Sequence, residues 1–444
     1  MSQPRPNIIF IVADDLGFAD LGCYGGRDAV FGRVSPVLDG LASQGIKFTQ
    51  GYANSPVCSP TRFALMTARW QYRLRGAADE PINSRSRGSS ILGLPPEHPT
   101  LPSLLQGAGY RTALIGKWHL GYPPHFGPLK SGYDSFYGPM SGGVDYFTHC
   151  DSRGTHDLWV GEQEHHQDGY LTDLISDRAV DWLGEVAPMA AQGHQPFFMS
   201  LHYTAPHWPW ETRDDAALAE EVKDNLFHLH GGSIHRYQRM IQQMDEGIGR
   251  VMAALCQAGV ERDTLVVFTS DNGGERFSDN WPLVGGKMDL TEGGIRVPWI
   301  AHGPAAIAPG GVSTQHCLTM DWSATLLAAA GVAADAAYPL DGVSLLAVLQ
   351  DPAATFERPM AWRMLHRSQR AYRQGDWKYL RVDGHEYLFN IPADERERAN
   401  HAPREPQRLA AMRSAWEAWN TTMPPIPGDA TVSLGYGAKD MPQR

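Results

Sequence analysis

The sequence predicts an α/β protein in which helices sandwich a large, mixed but mostly parallel sheet, with a smaller C-terminal domain containing an antiparallel sheet and a helix. Three observations carry this prediction: short apolar runs recur along the chain, helical patterns lie between them, and the pattern changes after about residue 350. The chain has 444 residues, and single cores stop growing at about 250–300 residues. We therefore predict a large α/β domain over 1–350 and a small α+β domain with a tail over 351–444.

The apolar runs predict buried parallel strands. They cover residues 8–12, 112–115, 197–202, 265–269 and 297–301, and they have the near-continuous apolar character of strands covered on both faces. Residues 236–255 carry apolar side chains at spacings of three and four, which predicts an amphipathic helix. In such a sheet, a ligand site is expected beyond the carboxyl ends of the strands.

Beyond residue 351 the sequence favours antiparallel structure. A hairpin is predicted over 370–381 with Gly375-Asp376 at the turn, followed by a strand over 386–390 and an amphipathic helix over 407–419. The tail over 423–444 is rich in Pro and Gly, and we expect it to wrap the surface or to be mobile.

Composition and charge exclude several classes of partner. The net charge of −11 argues against nucleic acid, because phosphate backbones are bound by clustered Lys and Arg. We find no secretion signal and no run of about 20 apolar residues, and we therefore expect a cytoplasmic protein without a membrane partner. The five cysteines are scattered and lack CxxC spacing, which favours neither a disulfide framework nor a zinc site.

Polar side chains follow two of the predicted strands. Asp14 and Asp15 close the first strand, and Asp271 and Asn272 follow the strand over 265–269. If both strands are central and parallel, three carboxylates and an amide meet at one edge of the sheet, where hard oxygen ligands suit calcium or magnesium. Each motif alone is also compatible with a cap or a turn. Together they favour a metal site.

Cys58 opens the string Cys58-Ser59-Pro60-Thr61-Arg62, which precedes an apolar segment. Proline is tolerated in a first helical turn, so Cys58 is predicted at a helix N-terminus, where free N–H groups attract anions. Arg62, one turn on, could pair with such an anion. A lone cysteine is more often a small buried hydrophobe, and the string by itself is therefore weak evidence of function.

The string resembles the C-x-P-x-R signature of the type I sulfatases, in which the cysteine is converted to formylglycine and which belong to the alkaline-phosphatase superfamily. The stretch GYRTALIGKWH, from Gly109 to His119, resembles the second signature of that family. One departure is Ala68, where members usually have Gly. The resemblance extends to GDWK and LFN in the C-terminal region, and it is nearest to arylsulfatase A-like and N-acetylgalactosamine-6-sulfatase-like members.

The resemblance implies a ligand set and a modification. Asp14, Asp15, Asp271, Asn272 and the modified Cys58 would hold Ca²⁺, with Mg²⁺ as the runner-up. A formylglycine-generating enzyme would be the partner that converts Cys58. The hydrated aldehyde would attack the sulfur of the substrate with help from Asp271.

The resemblance also implies roles for the remaining site residues. Arg62, Lys117 and Lys287 would hold the sulfate oxygens. His207, assisted by Lys287, would protonate the leaving oxygen, and His119 would take the proton of the second hydroxyl so that sulfate is expelled. Ser141 is a further candidate contact. The aromatic residues Tyr146, Phe147, Trp159, Trp208 and Trp210 could wall the pocket or merely pack under long loops.

Three functions stay open at this point. The first is hydrolysis of sulfate monoesters, either aryl sulfates or sulfated carbohydrates. The second is hydrolysis of phosphonate or phosphate esters by the same formylglycine and metal site. The third is a binding protein with unmodified Cys58, which is disfavoured because binding alone would not require acid, base and metal residues.

Overall fold

The computed structural model describes residues 5–222, 226, 232–304, 307 and 309–434. Its strands are, in chain order, β1 (Asn7–Ala13), β2 (Ile46–Phe48), β3 (Gly51–Tyr52), β4 (Arg111–Gly116), β5 (Ser135–Gly138), β6 (Trp159–Val160), β7 (Gln163–Glu164), β8 (Phe197–His202), β9 (Thr264–Ser270), β10 (Trp299–His302), β11 (Gly311–Ser313), β12 (Cys317–Leu318), β13 (Met360–Arg363), β14 (Arg370–Gln374), β15 (Trp377–Val382) and β16 (His385–Asn390). Its helices are α1 (Asp28–Phe31), α2 (Pro36–Gln44), α3 (Cys58–Thr67), α4 (Leu101–Gly107), α5 (Leu171–Ala191), α6 (Ala216–Val222), α7 (Ile234–Gln257), α8 (Glu292–Ile295), α9 (Thr319–Ala329), α10 (Leu346–Gln350) and α11 (Pro406–Thr421).

The large sheet runs in the order β11-β2-β10-β9-β1-β8-β4-β5-β6-β7. β1 is central and pairs in parallel with β8 and β9, and the parallel arrangement continues through β4 to β5. The mixed, mostly parallel sheet is thereby confirmed. β10 is antiparallel to both β9 and β2, so the prediction of a parallel strand over 297–301 is wrong in direction. An apolar run carries no information about the direction in which a buried strand enters the sheet.

The core lies on both faces of this sheet. All seven residues of β1 are buried. Because successive side chains of a strand point to opposite faces, Ile9 and Ile11 belong to one apolar cluster and Ile8 and Phe10 to the other. The predicted helix over 236–255 lies within α7, which packs its methionines into the first cluster. This alternation holds β1 rigidly and fixes the position of the residues that follow it.

The C-terminal region carries a four-stranded antiparallel sheet in the order β13-β14-β15-β16, with α11 packed against it. The predicted hairpin is β14 and β15, and Gly375 at its turn adopts a left-handed φ of 54° that suits glycine. β13 was not predicted. The domain boundary near residue 350 stays a prediction.

The tail joins the large domain as far as Leu434. Glu80 pairs with Val432 in a parallel bridge, and Ser433 N donates to Glu80 O at 3.0 Å. The tail therefore wraps the surface, in agreement with one of the two expectations, and residues 435–444 lie outside the described residues. None of the helices in the described ranges is long and apolar enough to cross a bilayer.

Candidate active site

The carboxyl ends of four neighbouring strands gather the predicted site. The register of β1 and β9 aligns Ala13 with Ser270, so that Asp14 and Asp271 leave the sheet side by side. β4 and β8 end together at the pair Gly116 and His202. The close approach at Gly116 excludes a side chain, because a Cβ there would lie 1.8 Å from His202 O. Lys117 N then donates to the same carbonyl oxygen at 2.8 Å.

Cys58 is the first residue of α3, as predicted, and it is 1% exposed. Burial raises the pKa of its thiol to about 11, and Lys117 and Lys287 lower that pKa only in part. The thiol is therefore protonated near neutral pH and is a poor nucleophile. At the other end of α3, Ala68 caps the helix in a left-handed conformation with φ of 54°. This geometry favours glycine and costs alanine roughly 1–2 kcal/mol, which accounts for the usual residue at that position.

Three carboxylates and one amide converge next to Cys58. One ligand atom from each of Asp14, Cys58 and Asp271 lies within 4.8 Å of the others, and the same holds for Asp14, Asp15 and His207. Asn272 Nδ2 donates to Asp15 Oδ1 at 2.7 Å. Burial and the neighbouring Asp271 raise the pKa of Asp14 well above its usual value. Such repulsion between buried carboxylates is relieved by a bound cation.

The oxygen atoms of this cluster fit a hard divalent cation. Within the described part of the chain, Asp14 Oδ1 and Asn272 Oδ1 are buried without a hydrogen-bond donor. A buried acceptor without a partner is costly, and a metal ion removes that cost. Carboxylate and amide oxygens are the ligands that calcium and magnesium prefer.

Three buried cations surround the carboxylates. Arg62, Lys117 and Lys287 are the predicted anion-binding residues, and each makes a short ion pair. The pairs are Lys117 with Asp14 at 2.5 Å, Lys287 with Asp15 at 2.7 Å and Arg62 with Asp271 at 2.8 Å. The formal charges of these three cations and three carboxylates cancel, and a bound metal cation and an anionic substrate would in turn offset one another.

His119 is held so that one ring nitrogen is free to accept a proton. Its Nε2 lies 2.6 Å from Ile82 O, and a carbonyl can only accept, so Nε2 carries the hydrogen. Nδ1 is buried and without a partner among the described residues. Burial, and then Lys117, lower the pKa of His119 well below its usual value, which keeps Nδ1 unprotonated. Gly142 permits this position, because a Cβ there would lie 2.3 Å from His119 Cε1.

His207 faces the acidic cluster from a separate loop. Its Nδ1 donates to Trp208 O at 2.6 Å, and its Nε2 lies 3.6 Å from Asp15 Oδ2. Burial, Lys287 and Lys117 lower the pKa of His207 well below its usual value. An anion bound beside these lysines would oppose their effect and raise that pKa.

A cavity of about 330 Å³ opens onto these residues. Cys58, His119, Ser141 and His207 line it. Of the predicted aromatic wall residues, Trp208 lines the cavity. Trp210 packs against Phe277. Tyr146 and Trp159 are buried by packing. Packing is therefore the better account of most of that aromatic set.

Several residues of the site and of its cavity were not predicted from the sequence. His202 ends β8, and its Nδ1 lies 3.3 Å from Arg62 Nη1 and 3.3 Å from Lys117 O. Ser433 and Leu434 of the tail line the cavity together with residues 81–85. His202 could have been suspected as the last residue of a predicted central strand. The contribution of the tail has no local signal in the sequence, because it depends on a contact between Ser433 and Pro81, which are 352 positions apart.

A glycine-containing loop over residues 293–296 packs against both the acidic cluster and the segment that leads into Lys287. Gly293 N donates to Val284 O at 2.8 Å, and a Cβ on Gly294 would lie 2.4 Å from Gly286 O. Gly273 N donates to Gly294 O at 2.9 Å, and a Cβ on Gly273 would lie 1.9 Å from Gly293 O. The loop therefore fixes the backbone that carries Asp271 and Asn272.

Comparison with known proteins gives concordant matches. The family model described as Sulfatase matches residues 6–332. N-acetylgalactosamine-6-sulfatase of Sus scrofa is 32% identical over 384 residues, which cover 81% of this chain and 68% of the relative. Steryl-sulfatase of Mus musculus is 31% identical over 426 residues, covering 80% and 66%. The chain spans about two thirds of the length of these curated relatives.

Solved structures agree with this result. The crystal structure of Ps i-CgsB in complex with k-i-k-neocarrahexaose superposes with a TM-score of 0.80 at 31% identity, covering 94% of this chain and 92% of that one. The structure of BT4656 in complex with D-glucosamine-2-N,6-O-disulfate has a TM-score of 0.72 at 22% identity, with coverages of 94% and 98%, and supports the fold alone.

Proposed function

Because the chain belongs to the sulfatase family and is therefore a sulfuric ester hydrolase, we propose that it cleaves sulfate monoesters through an aldehyde made from Cys58. The products would be an alcohol and inorganic sulfate. The observation that carries the proposal is the meeting of Cys58, three carboxylates and three buried cations at one edge of the sheet. A formylglycine-generating enzyme is the proposed partner that converts the cysteine.

The state of Cys58 supports conversion. A thiol whose pKa burial raises to about 11 carries little thiolate near neutral pH. A hydrated aldehyde at the same position offers two hydroxyl groups, of which one can attack sulfur while the other later loses its proton. Asp271 lies within 4.8 Å of the residue 58 ligand atom and is placed to help deprotonate the attacking hydroxyl.

We assign calcium to the acidic cluster, with magnesium as the alternative. Asp14, Asp15, Asp271, Asn272 and residue 58 would hold it, since the first four supply hard oxygen ligands. The chemistry that such an ion supplies when bound is neutralisation of the carboxylates and a lower pKa of a hydroxyl nucleophile.

The cations would then serve the substrate. Arg62, Lys117 and Lys287 are fixed by ion pairs before substrate arrives, so their charges need no reorganisation when sulfate binds. His202 acts as a positioning residue, because it contacts both Arg62 and the carbonyl of Lys117. The sulfate oxygens are thereby held while the bond to the leaving oxygen breaks.

The two histidines take opposite roles. His207 would protonate the leaving oxygen once the anionic substrate has raised its pKa, with Lys287 assisting. His119 would accept, at Nδ1, the proton of the second hydroxyl, so that the sulfated intermediate collapses to aldehyde and sulfate. The assignment rests on the hydrogen bond that leaves His119 Nδ1 free and on the place of His207 beside Trp208 in the cavity wall.

The substrate class is a sulfated carbohydrate or an aryl sulfate. Support comes from the similarity to N-acetylgalactosamine-6-sulfatase, whose name states a sulfated sugar, and to a structure that holds neocarrahexaose. A cavity of about 330 Å³ lies near the lower end of the ~300–1,000 Å³ range of small-molecule sites. The cytoplasmic location stays a prediction, for which fractionation of the producing cells is the test.

The test is a release assay on holoprotein with calcium. Aryl sulfates, sulfated monosaccharides, phosphate monoesters and phosphonate monoesters are offered at equal concentration, with Cys58→Ala as the matched control. Faster release from a sulfate ester, lost in the control, supports the proposal. Faster release from a phosphonate or phosphate ester supports the second candidate instead, and binding of sulfated ligands without any release supports the third.

A further inference from the structure

Among the described residues, two arginines at the mouth of the cavity have no acidic partner. Arg85 and Arg153 both line the cavity that contains Cys58, and both are exposed. In the described part of the chain, no carboxylate lies within ion-pair distance of either guanidinium. Their neighbours differ in this respect, since Arg87 pairs with Asp151 at 2.8 Å and Arg75 with Asp79 at 2.6 Å.

The acidic residue nearest to them is already engaged. Asp151 also lines the cavity, but its Oδ2 accepts from Arg87 at 2.8 Å. Its Oδ1 accepts from the backbone N–H groups of Arg153 at 2.9 Å and Thr155 at 3.1 Å. Over the described ranges, therefore, no carboxylate compensates the positive charge of these two arginines at the rim. The chain as a whole carries −11, so this charge is local and not part of a generally basic surface.

Both arginines stand on backbone that is held in place. Arg85 N donates to Asn83 Oδ1 at 2.8 Å, and Ile82 N donates to Ser59 Oγ at 3.0 Å, next to the predicted nucleophile. Ser433 Oγ donates to Pro81 O at 2.8 Å, which ties the same segment to the tail. Arg153 is fixed through Asp151. The loop positions thus favour a defined site over two freely moving surface charges.

The rim charges are separate from the cations of the scissile sulfate. Arg62, Lys117 and Lys287 are at most 5% exposed and are paired with carboxylates at the base of the site. Arg85 and Arg153 lie on other segments at the exposed end of the same cavity. A substrate whose ester reaches residue 58 would therefore share this cavity with both arginines.

We propose that Arg85 and Arg153 form a second anion subsite, which binds a sulfate or carboxylate group that the substrate carries in addition to its scissile ester. The inference rests on the proposed sulfate ester hydrolysis and narrows its substrate class to a carbohydrate with at least two anionic groups. An aryl sulfate with a single anion cannot use the subsite. Guanidinium groups suit both anions, because they donate bidentate hydrogen bonds to sulfate-like and carboxylate oxygens.

The first test measures binding in Cys58→Ala holoprotein, which separates the subsite from the reaction. One probe pair is N-acetylgalactosamine 4,6-disulfate against N-acetylgalactosamine 6-sulfate, and it reports on a second sulfate. The other pair is the chondroitin 6-sulfate disaccharide against its uronate methyl ester, and it reports on a carboxylate. The variants are Arg85→Gln and Arg153→Gln. Arg262→Gln is the control, since Arg262 is exposed and lies just before β9, at the opposite end of that strand from Asp271.

We expect the doubly anionic member of at least one pair to bind more tightly, and the pair that does so identifies the second group. Each glutamine variant should reduce that preference by roughly three- to tenfold, as expected for partly exposed charge-assisted contacts. Added salt should reduce the preference for the doubly anionic probe in protein that retains both arginines, and it should have little effect once both are replaced. The Arg262 variant should keep the full preference.

The second test measures kcat/KM in active holoprotein for the same four compounds and for 4-nitrophenyl sulfate. Equal affinity within both pairs, or a preference that survives replacement of both arginines, overturns the subsite. A preference in binding that is lost in the variants supports it even if no ester is hydrolysed, and that absence of hydrolysis would refute the proposed function alone. Hydrolysis without any preference refutes the subsite alone.

Discussion

Replacing Gly142 by alanine tests the position of His119 without removing its imidazole. A Cβ at this site would lie 2.3 Å from His119 Cε1 and 2.5 Å from Nε2, whereas ordinary contacts lie at 3.4–4 Å. Gly142 is not among the residues with positive φ, so alanine can adopt its backbone. The imidazole must therefore withdraw by about 1 Å, the difference between 3.4 Å and 2.3 Å.

A displacement of that size should break the hydrogen bond between His119 Nε2 and Ile82 O, which is 2.6 Å long. Misplacement of a reacting group by about 1 Å costs on the order of 10²-fold in rate. The Gly142→Ala protein should therefore lose about 10²-fold in kcat, approaching His119→Ala, for which a missing general base predicts a loss of roughly 10²–10⁴-fold. Since the first step does not need His119, sulfated residue 58 should accumulate in both variants.

The assay is turnover of 4-nitrophenyl sulfate, followed by peptide mass spectrometry of residue 58 after brief exposure to substrate. Gly184→Ala in α5 is the matched control, because a Cβ there would meet nothing within 4 Å; it should leave kcat unchanged. Turnover by Gly142→Ala at the wild-type rate would refute the role of an accurately placed His119 as the base of the second step. Trapped adduct in His207→Ala and not in His119→Ala would mean that the two roles are reversed.

Three further predictions concern the metal, the leaving group and stability. Elemental analysis of the purified protein should find calcium, and stoichiometric zinc would contradict the assignment. Asp271→Ala should lose both metal and activity. Its free energy of unfolding should fall less in the absence of added metal than in its presence. His207→Ala should slow esters with poor leaving groups far more than nitrophenyl esters, because an activated oxygen departs without a proton, and equal losses would argue against its role as acid. Glu80 accepts hydrogen bonds from the backbone N–H groups of Leu365 and His366, and burial raises its pKa to about 7 from 4.5. The folded state therefore holds the proton of Glu80 more tightly than the unfolded state does. Glu80 contributes about 3 kcal/mol to the free energy of unfolding below pH 4.5, and this contribution is lost as the pH rises through 7. In urea titrations at pH 4.5 and pH 8, Glu80→Gln should lack this loss, and parallel pH profiles of the two proteins would contradict it.

Much of the fold and most of the acidic cluster could be predicted because both follow from periodicity. β1 and β9 are apolar runs, and parallel strands end at one edge of a sheet, so Asp14 and Asp271 had to meet if the strands were neighbours. The direction of β10 could not be predicted, because burial on both faces erases any directional pattern.

The parts that depend on loops could not be predicted from local sequence. Ile82 holds His119 through a backbone carbonyl, which no side-chain pattern reveals. The bridge between Glu80 and Val432 brings the tail to the cavity across most of the chain. Arg85 and Arg153 are ordinary loop arginines in the sequence. The shared cavity, and the lack of an acidic partner among the described residues, distinguish them.

Whether an aldehyde at position 58 is the nucleophile can be tested on one preparation. The peptide containing residue 58 is weighed by mass spectrometry, and the turnover of a sulfate ester is measured on the same sample and on Cys58→Ala. We expect an aldehyde in place of the thiol, activity in proportion to the converted fraction, and a folded but inactive Cys58→Ala protein. A fully active sample that contains only unmodified cysteine would contradict it.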